Sequence, residues 1–295
     1  MTQWTVGEAD RISFDETVTT LHVRIVEGAV NVVPTDGPAR LEVAEIKGEP
    51  LLVTLEDGVL TVSYKDLSWS EFGDAVKTVH SAKAFFGSLR RKRRAVVSLA
   101  VPADALVKIG TVSADTTVSG IAGEVSVHGA SGGTTLVGLS GQTQVHTVSG
   151  EVEAQELAGE LRVNTVSGAV TLMAGSAPKI QAKSVSGAIT LDLDVTTPTE
   201  ITATTVSGGV GVRLPSLADA KVEAGTTTGD LTSTFEELTL ASSWGAKRLS
   251  GQLGSGTGRL QVTTVTGPVT IQRRPDTEDD RPVRELPTTS LSKEL

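Results

Sequence analysis

The sequence predicts an all-β fold wound as a single-chain β-solenoid, or β-helix, with coils of about 18–22 residues. Three observations point there. The 295 residues include 31 glycines but only 5 Phe, 3 Trp and 1 Tyr, a composition of short strands with small and β-branched side chains joined by tight turns. A TVSG-like tetrad recurs at 111–114, 129–132, 147–150, 165–168, 184–187, 205–208, 226–229, 248–251 and 264–267, with spacings of 18, 18, 18, 19, 21, 21, 22 and 16. Most tetrads run into a G-x-V-x-V alternation, as in GEVEA from 150, GAVTL from 168 and GAITL from 187. That alternation has the period of a half-buried strand.

Taken in chain order, the stretches 21–34, 39–46 and 50–64 read as strands, and VEGAVNV within the first repeats the pattern, so 1–66 is expected to form an irregular N-terminal β cap or the first coils. Residues 67–94 interrupt the pattern as an inserted amphipathic helical or loop segment. Regular coils follow over 95–272. Between 123 and 168 glycines fall every nine positions, so each coil should hold two strand-and-turn halves. One coil must return the chain to a point about 4.8 Å above its start, which makes a rod of about 40 Å from nine coils. The tetrad positions Val112, Ala130, Val148, Val166, Val185, Val206, Thr227, Leu249 and Val265 are expected to stack inward as one aliphatic column. Val152, Val170, Ile189, Val210, Leu231, Leu253 and Val269 should form a second, with the tetrad Thr and Ser outward. The tetrad glycine should supply a positive φ or a close approach at a corner. The tail 273–295 is charged, contains proline and lacks apolar period, as disordered segments do.

The inserted segment carries the candidate contact. Trp69, Phe72, Val76, Val79, Phe86 and Leu89 recur at mostly helical intervals with Phe85 beside them, and Arg90, Arg91, Lys92, Arg93 and Arg94 give five consecutive positive charges in a chain of net charge −9. An apolar face next to a basic run suits a protein partner or an anionic membrane surface, and a solvated cap on the coil end is the structural alternative.

The tetrads with G-x-V-x-V, preceded by FDETVTTLHVRIVEGAVNVVP and VSLAVPADALVKIGTVSADTTVSG, resemble the bacterial putative-adhesin family of β-strand-repeat proteins, a domain family of unknown function. The resemblance covers roughly 14–272 apart from the insertion. It implies a β-solenoid associated with cell-envelope proteins and brings no catalytic residues.

Other chemistry is sparse. The absence of cysteine removes disulfides and thiolate metal sites, and the acidic balance argues against nucleic acid. The N-terminal residues lack the apolar core of a signal peptide, so a cytoplasmic location is expected, with a peripheral membrane contact. His128 and His146 precede neighbouring tetrads and could share a metal or an anion, or simply form a polar ladder. Asp192 and Asp194 could serve a carbohydrate-active enzyme, but neighbouring coils offer Thr, Ser, Ala and Gly rather than further carboxylates. A flat Thr/Ser face could order water as ice-binding solenoids do, but Lys183, Lys247 and Arg248 would break it and hydroxyl ladders account for it, and the calcium-binding nonapeptide is missing. The expected function is a non-catalytic binding or scaffolding module without cofactor or metal, with end-to-end self-association through coil ends as the structural rival.

Overall fold

The computed structural model describes residues 2–65, 93–193, 198–243 and 245–274. Among these every regular element is a β-strand, and all 24 strands join one hydrogen-bonded network in which most neighbours run parallel. The N-terminal strands are β1 (Thr2–Val6), β2 (Asp10–Phe14), β3 (Thr20–Pro34), β4 (Ala39–Lys47), β5 (Leu51–Glu56), β6 (Val59–Ser63), β7 (Arg94–Val101) and β8 (Leu106–Ser119). The middle supplies β9 (Val125–Gly129), β10 (Thr134–Val137), β11 (Thr143–Thr147), β12 (Val152–Gln155), β13 (Leu161–Asn164), β14 (Val170–Gly175), β15 (Lys179–Lys183), β16 (Ile189–Leu193), β17 (Glu200–Thr204) and β18 (Val210–Leu214). The last are β19 (Ala220–Thr226), β20 (Leu231–Ser233), β21 (Leu238–Ser243), β22 (Ala246–Leu253), β23 (Gly258–Thr264) and β24 (Val269–Arg273).

From β8 onward, successive strands alternate between two parallel ladders. One runs β8, β9, β11, β13, β15, β17, and the other β8, β10, β12, β14, β16, β18. Partners lie one coil apart, as Val145 beside Val163 and Val152 beside Val170. Period-2 alternation buries every second residue, so Val127, Val145, Val163, Ala182 and Ala203 of the first ladder share a core with Leu136, Ala154, Leu172, Leu191 and Val212 of the second. The nine-residue glycine period thus marks two corners per coil, with Ile121, Leu139 and Leu157 buried at the corner opposite the tetrad.

The tetrad corner corrects the expected inward valine column. Thr147, Thr165, Ser184, Thr205, Thr264 and Thr226 are buried, while Val185, Val206 and Val265 are 49%, 47% and 43% exposed and Val148 and Val166 are half-buried; of these valines only Val112 is inside. The alternation of the incoming strand explains it: Thr143, Val145 and Thr147 face the core in turn, so the next residue leaves it. The buried hydroxyl is satisfied locally, for the N–H of Gly168 donates to Thr165 Oγ1 at 3.0 Å and that of Gly150 to Thr147 Oγ1 at 3.1 Å. The tetrad serine bonds along the ladder instead, as Ser167 Oγ donating to the Val148 carbonyl at 3.2 Å. The expected second column holds at Val152, Val170, Ile189, Val210, Leu231 and Val269. A direct test compares two substitutions. Thr165→Val should cost about 1–3 kcal/mol because it strands a buried N–H, whereas Val185→Ser should stay within about 0.5 kcal/mol in thermal melts.

The last coils do not stack in sequence order. β17 pairs with β23 and β18 with β24, and only beyond these do β19 and β20 add in parallel. The tetrad at 264–267 therefore lies between those at 205–208 and 226–229: the Val265 N–H donates to the Val206 carbonyl at 3.2 Å, and the Thr227 N–H to the Val265 carbonyl at 3.1 Å. Residues 248–251, read as another tetrad, lie inside β22, which pairs antiparallel with β19 and β21. Leu253 is buried there but faces Ala220 in an antiparallel pair rather than extending the parallel column. Every coil offers the same edge register, so spacing along the chain cannot reveal the order in space.

At the other end, β3 is a single strand serving both ladders. Thr20–Arg24 pairs β6, Glu27–Pro34 pairs β7, and both halves pair β8. Further out the pairing becomes antiparallel, through β6, β5 and β1 on one ladder and β7, β4 and β2 on the other. Trp4 and Phe14 meet edge to face there, their ring centroids 5.3 Å apart.

Candidate functional site

Of the residues expected to make the contact, Trp69, Phe72, Phe85, Phe86, Arg90, Arg91 and Lys92 lie outside the described residues. Arg93 and Arg94 belong to the folded body. Arg93 is 8% exposed, ion-pairs with Glu49 at 2.6 Å and places its guanidinium 5.3 Å from the centre of the Tyr64 ring. Burial pushes the Tyr64 phenol up to about 12. Arg94 opens β7 and lies 3.4 Å from Glu27 and 3.5 Å from Glu45. Two of the five consecutive charges are thus already engaged by carboxylates.

Asp192 is engaged as well. Its Oδ1 accepts from Arg274 Nε at 2.9 Å and contacts Nη2 of the same side chain, while Arg213 stands 3.8 Å from Oδ2. This aspartate ties the end of β24 to β16. Asp194 lies outside the described residues. Among the described residues no group of three or more His, Asp or Glu is placed to hold a metal ion, and no helix is long and apolar enough to cross a membrane. The Thr/Ser tetrad face is not a flat outer surface, because its threonines are buried.

The outer face of the first ladder holds the most organised set of polar side chains. Its register forms two columns. One runs His22, Lys108, Ser126, Gln144, Arg162, Gln181, Thr202, Gln261, Glu223; the other runs Arg24, Gly110, His128, His146, Asn164, Lys183, Thr204, Thr263, Gly225. The imidazoles of His128 and His146 stack with centroids 5.1 Å apart and planes inclined by 7°, the geometry that one rung imposes. Ser126 Oγ lies 3.2 Å from His128 Nε2.

Burial, with His146 and Lys108 nearby, holds the His128 pKa down at about 4. His146 is lowered by burial and by Arg162, and His22 by burial, Lys108 and Arg24. The local field at all three is cationic. Lys108, Arg162 and Lys183 form no salt bridge among the described residues. At the far end of the face, Gly225 leaves a groove of about 300 Å3 beside Lys247 and Arg248. There Glu223 lies 4.0 Å from Arg248 and 3.7 Å from Arg259, which reads as a structural seam.

The sequence reading found half of this face. The position before each tetrad marks His128 and His146, but the column two residues earlier, with Lys108 and Arg162, escapes that alignment. The 18-residue spacing of Lys108, Ser126, Gln144 and Arg162 was the available signal.

The profile of the family described as Toastrack DUF4097 matches residues 56–272. The chain belongs to the toastrack DUF4097 family. That membership bears out the resemblance carried by the tetrads, and the matched range includes both parallel ladders and the intercalated C-terminal coil. No curated protein matches this toastrack chain. Among solved structures it is similar to a putative cell adhesion protein from Clostridium sporogenes, at 13% identity and a TM-score of 0.25, over 90% of this chain and 100% of that one. A putative adhesin from Bacteroides fragilis aligns at 13% identity and a TM-score of 0.42, over 90% and 97%. A putative lipid binding protein from Parabacteroides distasonis aligns at 13% identity and a TM-score of 0.40, over 91% and 98%.

Proposed function

We propose that this toastrack protein is a non-catalytic β-solenoid binding module that engages an anionic membrane surface or a protein partner through the inserted basic segment. The observation that supports it is the chemistry of the rungs. Neighbouring coils set hydroxyl, amide and cationic side chains in register, and Asp192 is held by Arg213 and Arg274 rather than facing a second carboxylate across a cleft. Glycoside chemistry needs two carboxyl groups flanking a substrate, and Asp192 is instead committed to two arginines.

The contact itself is drawn from the sequence. Arg93 and Arg94 are engaged within the body, so Arg90, Arg91 and Lys92 remain to meet anionic headgroups, with Trp69, Phe72, Phe85 and Phe86 as the apolar side. Near an anionic surface each such cation contributes about 1 kcal/mol, which screening reduces. Sedimentation with phosphatidylserine-containing vesicles should show binding that weakens from low to high salt. The triple variant R90Q/R91Q/K92Q should lose it with an unchanged melting temperature. A parent protein that ignores such vesicles at low salt rules out the membrane reading.

A further inference from the structure

Six consecutive rungs on the outer face of the first ladder each present a basic side chain: His22 and Arg24 on β3, Lys108 on β8, His128 on β9, His146 on β11, Arg162 on β13 and Lys183 on β15. Acidic side chains enter these two columns only at Glu223, at the opposite end of the ladder. The nearest carboxylates by position are Glu124 and Glu160, each preceding the first residue of its strand, while Glu200 pairs with Lys179 at 3.0 Å. Between the cations stand Ser126, Gln144, Asn164 and Gln181, all able to donate and accept hydrogen bonds. In a chain of net charge −9 this is a local reversal of sign.

We propose that this face binds a linear acidic polysaccharide lying along the ladder, its carboxylates set against Lys108, Arg162 and Lys183 and its hydroxyls against Ser126, Gln144, Asn164 and Gln181. The argument is one of spacing and charge density. Rungs repeat at about 4.8 Å, so the basic run covers about 24 Å in a straight line, the shape of an extended chain and not of a compact anion. Lys or Arg stands on four of the six rungs, as Arg24, Lys108, Arg162 and Lys183, and the rungs between them offer imidazoles, amides and hydroxyls. That pattern complements a polymer whose charges are separated by uncharged hydroxyl groups, and it undersupplies a dense phosphate polymer. Lys108, Arg162 and Lys183 have no salt bridge within the described residues, so a bound carboxylate displaces no internal partner from them. None of its residues belongs to the inserted segment 67–94.

The test is calorimetric titration of the full chain with oligogalacturonate, against neutral dextran and inorganic polyphosphate. Oligogalacturonate should bind, dextran should not, and polyphosphate should bind more weakly. Affinity should fall with salt, because Lys and Arg charges carry the contact, and His128, held down at about 4, adds no charge between pH 8 and pH 6. The double variant K108Q/R162Q should lose about tenfold or more in affinity, and R90Q/R91Q/K92Q should lose none. Gln181→Glu, which adds a negative charge to the same face, should weaken binding even if the double variant fails to fold. The proposal is overturned if the parent does not bind, if K108Q/R162Q binds as well as the parent, or if polyphosphate binds as tightly as oligogalacturonate.

Discussion

Gly168→Val should destabilise the protein by more than about 3 kcal/mol and lower its melting temperature well beyond what strand propensity explains. A Cβ at Gly168 would sit 1.9 Å from the Gly150 carbonyl oxygen and 3.0 Å from Thr165 Oγ1. The obstacle is backbone of the preceding coil, which cannot rotate away. The same contact recurs at Gly187 against Gly168 and at Gly208 against Gly187, so relief at one corner would have to displace the next. None of the tetrad glycines has a positive φ, which decides between the two roles expected from the sequence: the glycine is there for close approach. Gly211 is the control. Nothing lies within 4 Å of a Cβ built there, and it faces outward on β18, so Gly211→Thr should leave the melting temperature unchanged or raise it slightly. Equal melting temperatures for Gly168→Val and Gly211→Thr would remove the close-approach account.

Truncation after Thr257 should disorganise far more than the segment removed. It deletes β23 and β24, which lie between β17–β18 and β19–β20, and with them the buried side chains Leu260, Val262, Val269 and Ile271. At about 1.5–3 kcal/mol for each buried side chain, the loss is comparable to the whole stability of an ordinary domain. β22 and β21 depend on β19, so the hairpin should lose its anchor too. Amide hydrogen exchange should show protection lost across 220–253 and retained from β8 to β15. If protection over 220–226 persists in the truncated chain, β19 has closed onto β17 directly, and the intercalated coil is dispensable.

The tetrads show why legibility was uneven. Thr165, Val166, Ser167 and Gly168 repeat because each does a different job: a buried hydroxyl holding the glycine N–H, a half-buried corner, a hydroxyl bonded to the previous rung, and a contact too close for a side chain. The repetition was visible in the sequence, but valine was taken for the inward residue on hydrophobicity alone. Continuing the alternation of Leu161 and Val163 by one more step would have placed Thr165 inside. On the outer face, His128 and His146 were legible as neighbours because the 18-residue spacing is strict there. The cationic run needed both columns aligned, and the absence of a salt bridge at Lys108, Arg162 and Lys183 among the described residues needed the ladder itself.

The sequence by itself determined the strands of the regular coils, their parallel register one coil apart from β8 to β18, the glycine corners and the family, because periodic contacts between like residues leave a periodic trace. Tertiary structure alone decided three things. It set the C-terminal coil inside the stack, buried Arg93 against Glu49 and Tyr64, and tied Asp192 to Arg274 across the ladders. The reason is the same in each case. A ladder edge accepts any coil of matching register, and an ion pair joins residues far apart in the chain, so neither leaves a local pattern to read.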